Sequence, residues 1–239
     1  MKTSPEKGGE TMKIVRFAAL AAAVFVLGFG LGRLTVGSGE TAAGRAAGPE
    51  RAGLPAGLLT GVPDVRQSTG YSCGAAALQA VLAYWGTSER EDRLIDRLHS
   101  TPEKGTSPDS ILRVAREFGL AAELHEGLGL DDLQAALGRG QSVIVDLQAW
   151  RESEDRSWDE TWDDGHYVVL LGMDERNLYF EDPSLLGARG FIPRAEFLER
   201  WHDYEGEPPL DAADRAYRRM AIFLKGDHPA PPSPLEPLE

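Results

Sequence analysis

A single cysteine, Cys73, and five histidines are the only thiol and imidazole groups in 239 residues. One thiol permits no internal disulfide, so Cys73 is a buried small hydrophobe, an intermolecular link or a reactive group. The histidines, His99, His125, His166, His202 and His228, are scattered, with no HExxH and no paired CxxC. No metal site is therefore expected, and no cofactor is implied. Positive charge is also short: 25 Lys and Arg stand against 38 Asp and Glu, a formal net charge of −13 with a pI near 4.9. No basic stripe is present to release counterions from a phosphate backbone, which excludes nucleic acid as an expected partner. A P-loop pattern is missing too, so no ATPase domain is expected in this chain.

Long apolar runs are confined to one place. Lys13 and Arg16 precede an uninterrupted apolar stretch from Phe17 to Gly32, which Leu34 to Val36 could extend. It lacks the polar face of a surface helix and reads as a membrane anchor or a signal peptide. Lys2, Lys7, Lys13 and Arg16 favour a cytoplasmic N-terminus, hence a membrane-anchored or secreted protein with its catalytic domain outside the cytoplasm. Residues 1–37 are assigned to this segment and 38–61, rich in Gly, Ala and Pro, to a flexible linker. Residues 62–224 form the expected folded domain, and 225–239, with five prolines, a disordered tail.

Within 62–224 the first half reads as helices over 73–85, 89–98 and 109–118. The third has a Gly-Thr turn, an N-cap Ser107 and a first-turn Pro108 before it and Gly119 after it. A strand over 121–125, a helix over 130–137 and a β-branched strand over 142–147 follow. Strands over 166–173 and 177–182 are close enough for an antiparallel hairpin, and 189–192 continues the sheet. A helix over 194–202 and a closing strand over 217–224 complete an α+β pattern, helices first and antiparallel sheet second.

The chemistry gathers around Cys73. A polar turn, Gln67-Ser68-Thr69-Gly70-Tyr71-Ser72, runs straight into the alanine-rich helix that Cys73 opens. A thiol at a helix N-terminus faces the positive end of the backbone dipole, which favours a thiolate. Gln67, six residues upstream, can give an amide donor to an oxyanion. Gly165-His166 opens an apolar strand, and Asp182-Pro183 closes the next one. A hairpin brings its start and its end together, so His166 and Asp182 are expected to be cross-strand neighbours, with the aspartate fixing the imidazole tautomer.

These residues resemble the C39 peptidases, papain-like enzymes that cut leader peptides after a double glycine. The resemblance rests on Gln67 with Cys73-Gly74-Ala75-Ala76, and on His166 and Asp182-Pro183 sixteen residues apart, and it spans roughly 62–201. It implies a papain-like fold with the nucleophile at a helix N-terminus and a Cys73, His166, Asp182 triad with Gln67 as oxyanion donor. Two departures stand out. The chain has no transporter domains, and Ser72 occupies a position that is often aspartate in the transporter-borne peptidases. Tyr71, Gly74, Trp162 and Gly165, adjoining these residues, are expected to line the substrate cleft.

An acidic stretch, Glu152 to Asp164 with Trp158 and Trp162, precedes His166 directly. It reads as a solvated loop, or as a rim over the cleft that favours basic substrates. The expected activity is that of a cysteine peptidase on a peptide or protein substrate. Two alternatives stay open at this level: an amidase or transpeptidase acting on cell-wall amides with the same triad, and a non-catalytic module that holds a peptide in the cleft.

Overall fold

Helix α1 (Cys73–Tyr84) buries Ala75, Ala76, Ala77, Leu78, Ala80, Val81 and Leu82 completely. A helix apolar on so much of its circumference belongs inside, and four alanines let its backbone lie close against whatever covers it. In the computed structural model, which describes residues 58–151, 155–185, 187, 189–206 and 209–231, that cover is a sheet on one side and two helices on the other. Helix α2 (Glu91–Leu98) buries Leu94 and Leu98, and α3 (Pro108–Glu117) buries Ile111, Val114 and Ala115. Ser107 caps α3 as expected, accepting from the Ser110 N–H at 3.2 Å, and Gly119 ends it with a φ of +85°.

The remaining elements are β1 (Ala121–His125), α4 (Leu130–Gly138), β2 (Ser142–Gln148), β3 (Gly165–Met173), β4 (Asn177–Glu181), β5 (Gly190–Pro193), α5 (Arg194–Arg200), β6 (His202–Glu205), β7 (Arg215–Arg218) and β8 (Ala221–Lys225). Six of the strands make one antiparallel sheet in the order β1-β8-β2-β3-β4-β5. The period-2 alternation of strands divides the core into two layers. Ile144, Tyr167, Val169, Leu171, Ile222 and Leu224 face α1, α2 and α3. Val143, Val145, Leu147, Val168, Leu170, Phe180 and Phe223 face α4 and α5. Strands β2 and β3 are buried on both faces, which is why they read as continuous apolar runs.

Three expectations need correction. The closing strand over 217–224 is two strands. Arg219 takes a left-handed φ of +52° and donates its N–H to the Trp201 carbonyl at 2.9 Å, which breaks the extended chain. Strand β8 then lies inside the sheet, between β1 and β2, while β7 pairs with β6 in a separate two-stranded ladder. The helix expected to run to 202 stops at Arg200, and His202-Asp203-Tyr204-Glu205 is strand, a run whose polar character hid it. The tail is anchored for part of its length: Lys225 pairs with Ala121, and the Ala230 N–H donates to the Tyr84 carbonyl at 2.7 Å. The anchor or signal segment over 1–37, the linker up to residue 57 and residues 232–239 lie outside the described residues. No helix among the described residues is long and apolar enough to cross a membrane.

If close approach of α1 sets this fold, enlarging a buried alanine is costly. Ala77→Leu is expected to lower the unfolding free energy by about 1–3 kcal/mol, while Ala83→Leu at a partly exposed position of the same helix changes it less. Guanidinium melts followed by circular dichroism check this.

Candidate active site

The turn before α1 is tied by Ser72. Its hydroxyl accepts from the Thr69 N–H at 3.1 Å and from the Thr69 hydroxyl at 2.8 Å, and makes no cap bond to the helix. A serine at the N-cap would ordinarily satisfy one of the free N–H groups of the first turn. Here the first turn of α1, where Cys73 stands, keeps its donors free of a side-chain cap. Gly74 follows because a neighbour is close: a Cβ there would lie 2.8 Å from the Thr106 Cβ.

His166 and Asp182 meet from adjacent strands. The β3–β4 ladder pairs Val169 with Glu181, so Asp182 lies just past its end, on the same sheet face as Phe180, Val168 and His166. The His166 Nε2 is 2.7 Å from Asp182 Oδ1. The same oxygen accepts from the Ser184 N–H at 2.8 Å and the Ser184 hydroxyl at 2.7 Å, which fixes the carboxylate independently of the histidine. His166 is 2% exposed, and the Trp150 ring lies 5.0 Å from it, centre to centre. With Nε2 committed to Asp182, the second ring nitrogen is the one left for a further partner, and Cys73 is near enough to act on the charge of the ring.

The turn that carries Cys73 is laced to the loop that carries Asp182. The Val65 N–H donates to Glu181 Oε1 at 3.0 Å, the Gln67 N–H donates to the Pro183 carbonyl at 3.0 Å, and the Arg66 guanidinium reaches the Ser184 carbonyl. Gln67 is held within this lacing. One side-chain N–H goes to the Thr69 carbonyl at 2.8 Å, and Oε1 is buried with no hydrogen-bond partner among the described residues. Burial pushes the Glu181 carboxyl up to about 7 against the opposing pull of the Val65 N–H and Arg189.

Of the residues expected at the cleft, Tyr71, Trp162 and Gly165 line the hollow that opens on Cys73. Gly74 does not; it is buried beneath Thr106. A second hollow opens on His166 and Asp182, walled by Trp150, Phe180 and Phe191. The acidic stretch is held by its tryptophans. Trp158 lies under the Arg200 guanidinium at 3.8 Å, Trp162 stacks on His202 at 4.2 Å, and Arg156 pairs with Asp163 at 2.7 Å. Two further carboxyl groups, Asp146 and Asp203, reach the Cys73 hollow and were not singled out in the sequence. The signal for Asp146 was there, an ionisable residue inside Ser-Val-Ile-Val-Asp-Leu-Gln, a strand otherwise fit only for burial.

A model of the Peptidase C39 family matches residues 62–205, more than half of the chain. The chain belongs to the C39 peptidase family. Two curated relatives, uncharacterized proteins of Methanothermobacter marburgensis and Methanothermobacter thermautotrophicus, are 32% and 34% identical to it over 121 residues. That span is 51% of this chain and 71% of each relative. Among solved structures, a C39-like peptidase from Bacillus anthracis superposes with a TM-score of 0.53 at 18% identity, over 71% of this chain and 97% of that one. At that identity the likeness concerns the fold, a helix-and-antiparallel-sheet arrangement of papain-like type.

In this member of the C39 peptidase family the electrostatics of the histidine follow from its neighbours. Burial alone would lower the His166 pKa, but the hydrogen bond with Asp182 and the nearness of Cys73 outweigh it and carry the imidazole up to about 9. Asp182 is drawn below the usual carboxylate range, its own burial overcome by the histidine and by Ser184. A histidine raised above its unfolded value of ~6.5 contributes stability that is complete below that pH and disappears as pH rises through about 9. Nuclear magnetic resonance of the His166 ring is expected to give a midpoint near 9, and Asp182→Asn to move it down. A His166→Gln variant is expected to flatten the fall in unfolding free energy between pH ~7 and about 9.

Proposed function

We propose that this protein hydrolyses peptide bonds, with Cys73 as nucleophile, His166 as acid and base, Asp182 as its orienting partner, and Gln67 with the Cys73 backbone N–H as oxyanion donors. The observation that carries the reading is a buried imidazole held by Asp182 at Nε2, 2.7 Å away, and close enough to Cys73 to interact with it electrostatically. That arrangement stabilises a thiolate beside an imidazolium. The thiolate adds to the scissile carbonyl, and negative charge develops on its oxygen. In this reading the first turn of α1, free of a side-chain cap, and the second amide hydrogen of Gln67 are the donors assigned to that charge. His166 then gives its proton to the leaving amine, and a thioester remains on Cys73. Water, deprotonated by His166, hydrolyses the thioester and restores the pair.

A leader peptide is the narrower form of this substrate, an extended segment with small residues at the bond to be cut. With the segment over 17–36 acting as an anchor, the substrate would be met outside the cytoplasm. Peptide libraries read by mass spectrometry are expected to yield new amino termini with the wild-type protein and none with Cys73→Ala. Gln67→Ala is expected to lower kcat by ~10²–10³ with little change in KM. Because Cys73 is the only thiol, its alkylation by iodoacetamide is readable on the intact protein. It is expected to outpace that of a free cysteine peptide at neutral pH and to slow in His166→Ala; equal rates in all three would overturn the ion pair.

A further inference from the structure

The Cys73 hollow is floored by an acid pair for which the hydrolytic chemistry has no use. Asp146 stands directly opposite Tyr167 in the β2–β3 ladder, on the α1 face of the sheet, and is 4% exposed. Asp203 comes from β6 and lies over the backbone of Gly165, so close that any side chain at 165 would overlap its carboxyl group. Glycine before His166 is therefore required by Asp203. The Asp203 Oδ1 accepts from Gln148 Nε2 at 2.9 Å, and the two aspartates are close enough for each to bear on the protonation of the other. One oxygen of Asp146, Oδ1, is buried with no hydrogen-bond partner among the described residues, and so is the hydroxyl of Tyr204, a residue that lines the same hollow. A buried carboxyl oxygen without a donor is costly unless something occupies the space before it.

What would occupy it is indicated by the charges. The hollow, of about 200 Å³, carries Glu103, Asp146, Asp163, Asp203 and Glu205 against Lys104 among its described lining residues. Arg156 neutralises Asp163, and Lys104 is exposed at the surface, so the floor itself holds carboxyl groups and no cation. The Tyr167 hydroxyl, opposite Asp146 in the ladder, donates to the Thr106 carbonyl at 3.0 Å. Burial, the second aspartate and Cys73 together push Asp146 well above the carboxylate range. Burial likewise brings Asp203 to about 6. An arriving ammonium or guanidinium would supply the missing donors, and the proton held by the buried Asp146 carboxyl would leave to solvent.

We infer that this hollow is a specificity subsite for a lysine or arginine side chain of the peptide next to the bond that Cys73 attacks, received by Asp146 and Asp203. The inference rests on the peptidase reading for its substrate, while the site's preference for cations can be measured without it. Cys73 can be labelled with methanethiosulfonates carrying an aminoethyl, a methyl or a sulfonatoethyl group, each rate being divided by that for a free cysteine peptide. The aminoethyl reagent is expected to exceed the methyl reagent by about tenfold or more, with the sulfonatoethyl reagent slowest. Asp146→Asn and Asp203→Asn are expected to remove most of that ratio, whereas Asp131→Asn, on the exposed side of α4, leaves it in place. Peptides with Lys or Arg beside the cleaved bond are expected to be cut at least about tenfold faster than the same peptides with Gln or Met. Equal labelling by the three reagents in the wild-type protein, or a charge ratio unchanged in both aspartate variants, would overturn the subsite. Cleavage indifferent to basic residues would also overturn it and leave the peptidase standing. Charge-selective labelling with no peptide cleaved would instead keep the cation site and overturn the peptidase.

Discussion

The site depends on how near the start of α1 can lie to the mouths of β2 and β3. Everything reactive is presented by backbone that ends or begins there: Cys73 at the first residue of the helix, His166 at the second residue of β3, Asp182 one residue past β4. Small residues permit the approach. Ala75, Ala76, Ala77 and Ala80 bring the helix down onto the sheet, Gly74 admits Thr106, and Gly165 admits Asp203. The backbone bonds from Val65 and Gln67 to the 181–183 segment then hold the Cys73 turn against the Asp182 loop. Packing and these backbone bonds, not the His166–Asp182 hydrogen bond alone, set the positions.

This placement puts charge where the core would refuse it. Glu181, Asp146 and Asp203 are buried carboxyl groups, each raised above its ordinary range by desolvation. Asp182 is lowered instead, its own burial outweighed by the hydrogen bonds with His166 and Ser184. The contrast separates a carboxyl supplied with donors from Asp146 and Asp203, which burial holds above the carboxylate range. A strand such as β2, with hydrophobic residues on both faces, tolerates one aspartate only because the pair can stay partly neutral.

The sequence made the layers and the reacting pair legible through local rules. Cap and stop signals located α3 to within a residue, and the β-branched runs located β2 and β3, because these elements obey their own periodicity. Strand β6 was invisible because His202 to Glu205 are all polar or aromatic and are ordered by tertiary contacts: Trp162 on His202, Gln148 on Asp203, β7 alongside. The break at Arg219 is a single backbone conformation with no glycine to announce it. The second acid of the floor, Asp203, was lost with the strand that carries it. The hairpin argument for His166 and Asp182 gave the right neighbours through a diagonal rather than a direct pairing, since the ladder ends at Val169 and Glu181 and its register sets Asp182 opposite Val168, two residues from His166. The apolar stretch over 17–32 and its implied membrane contact lie outside the described residues.

The central claim is that Cys73 carries the acyl group of a cleaved peptide. Intact-mass measurement after acid quench, taken while a substrate peptide is being turned over, tests it most directly. The account predicts a transient adduct equal to the acyl half of the substrate, mapped to Cys73 and lost as hydrolysis completes. Active cleavage with the thiol unmodified throughout, or with the adduct on any other residue, would contradict it.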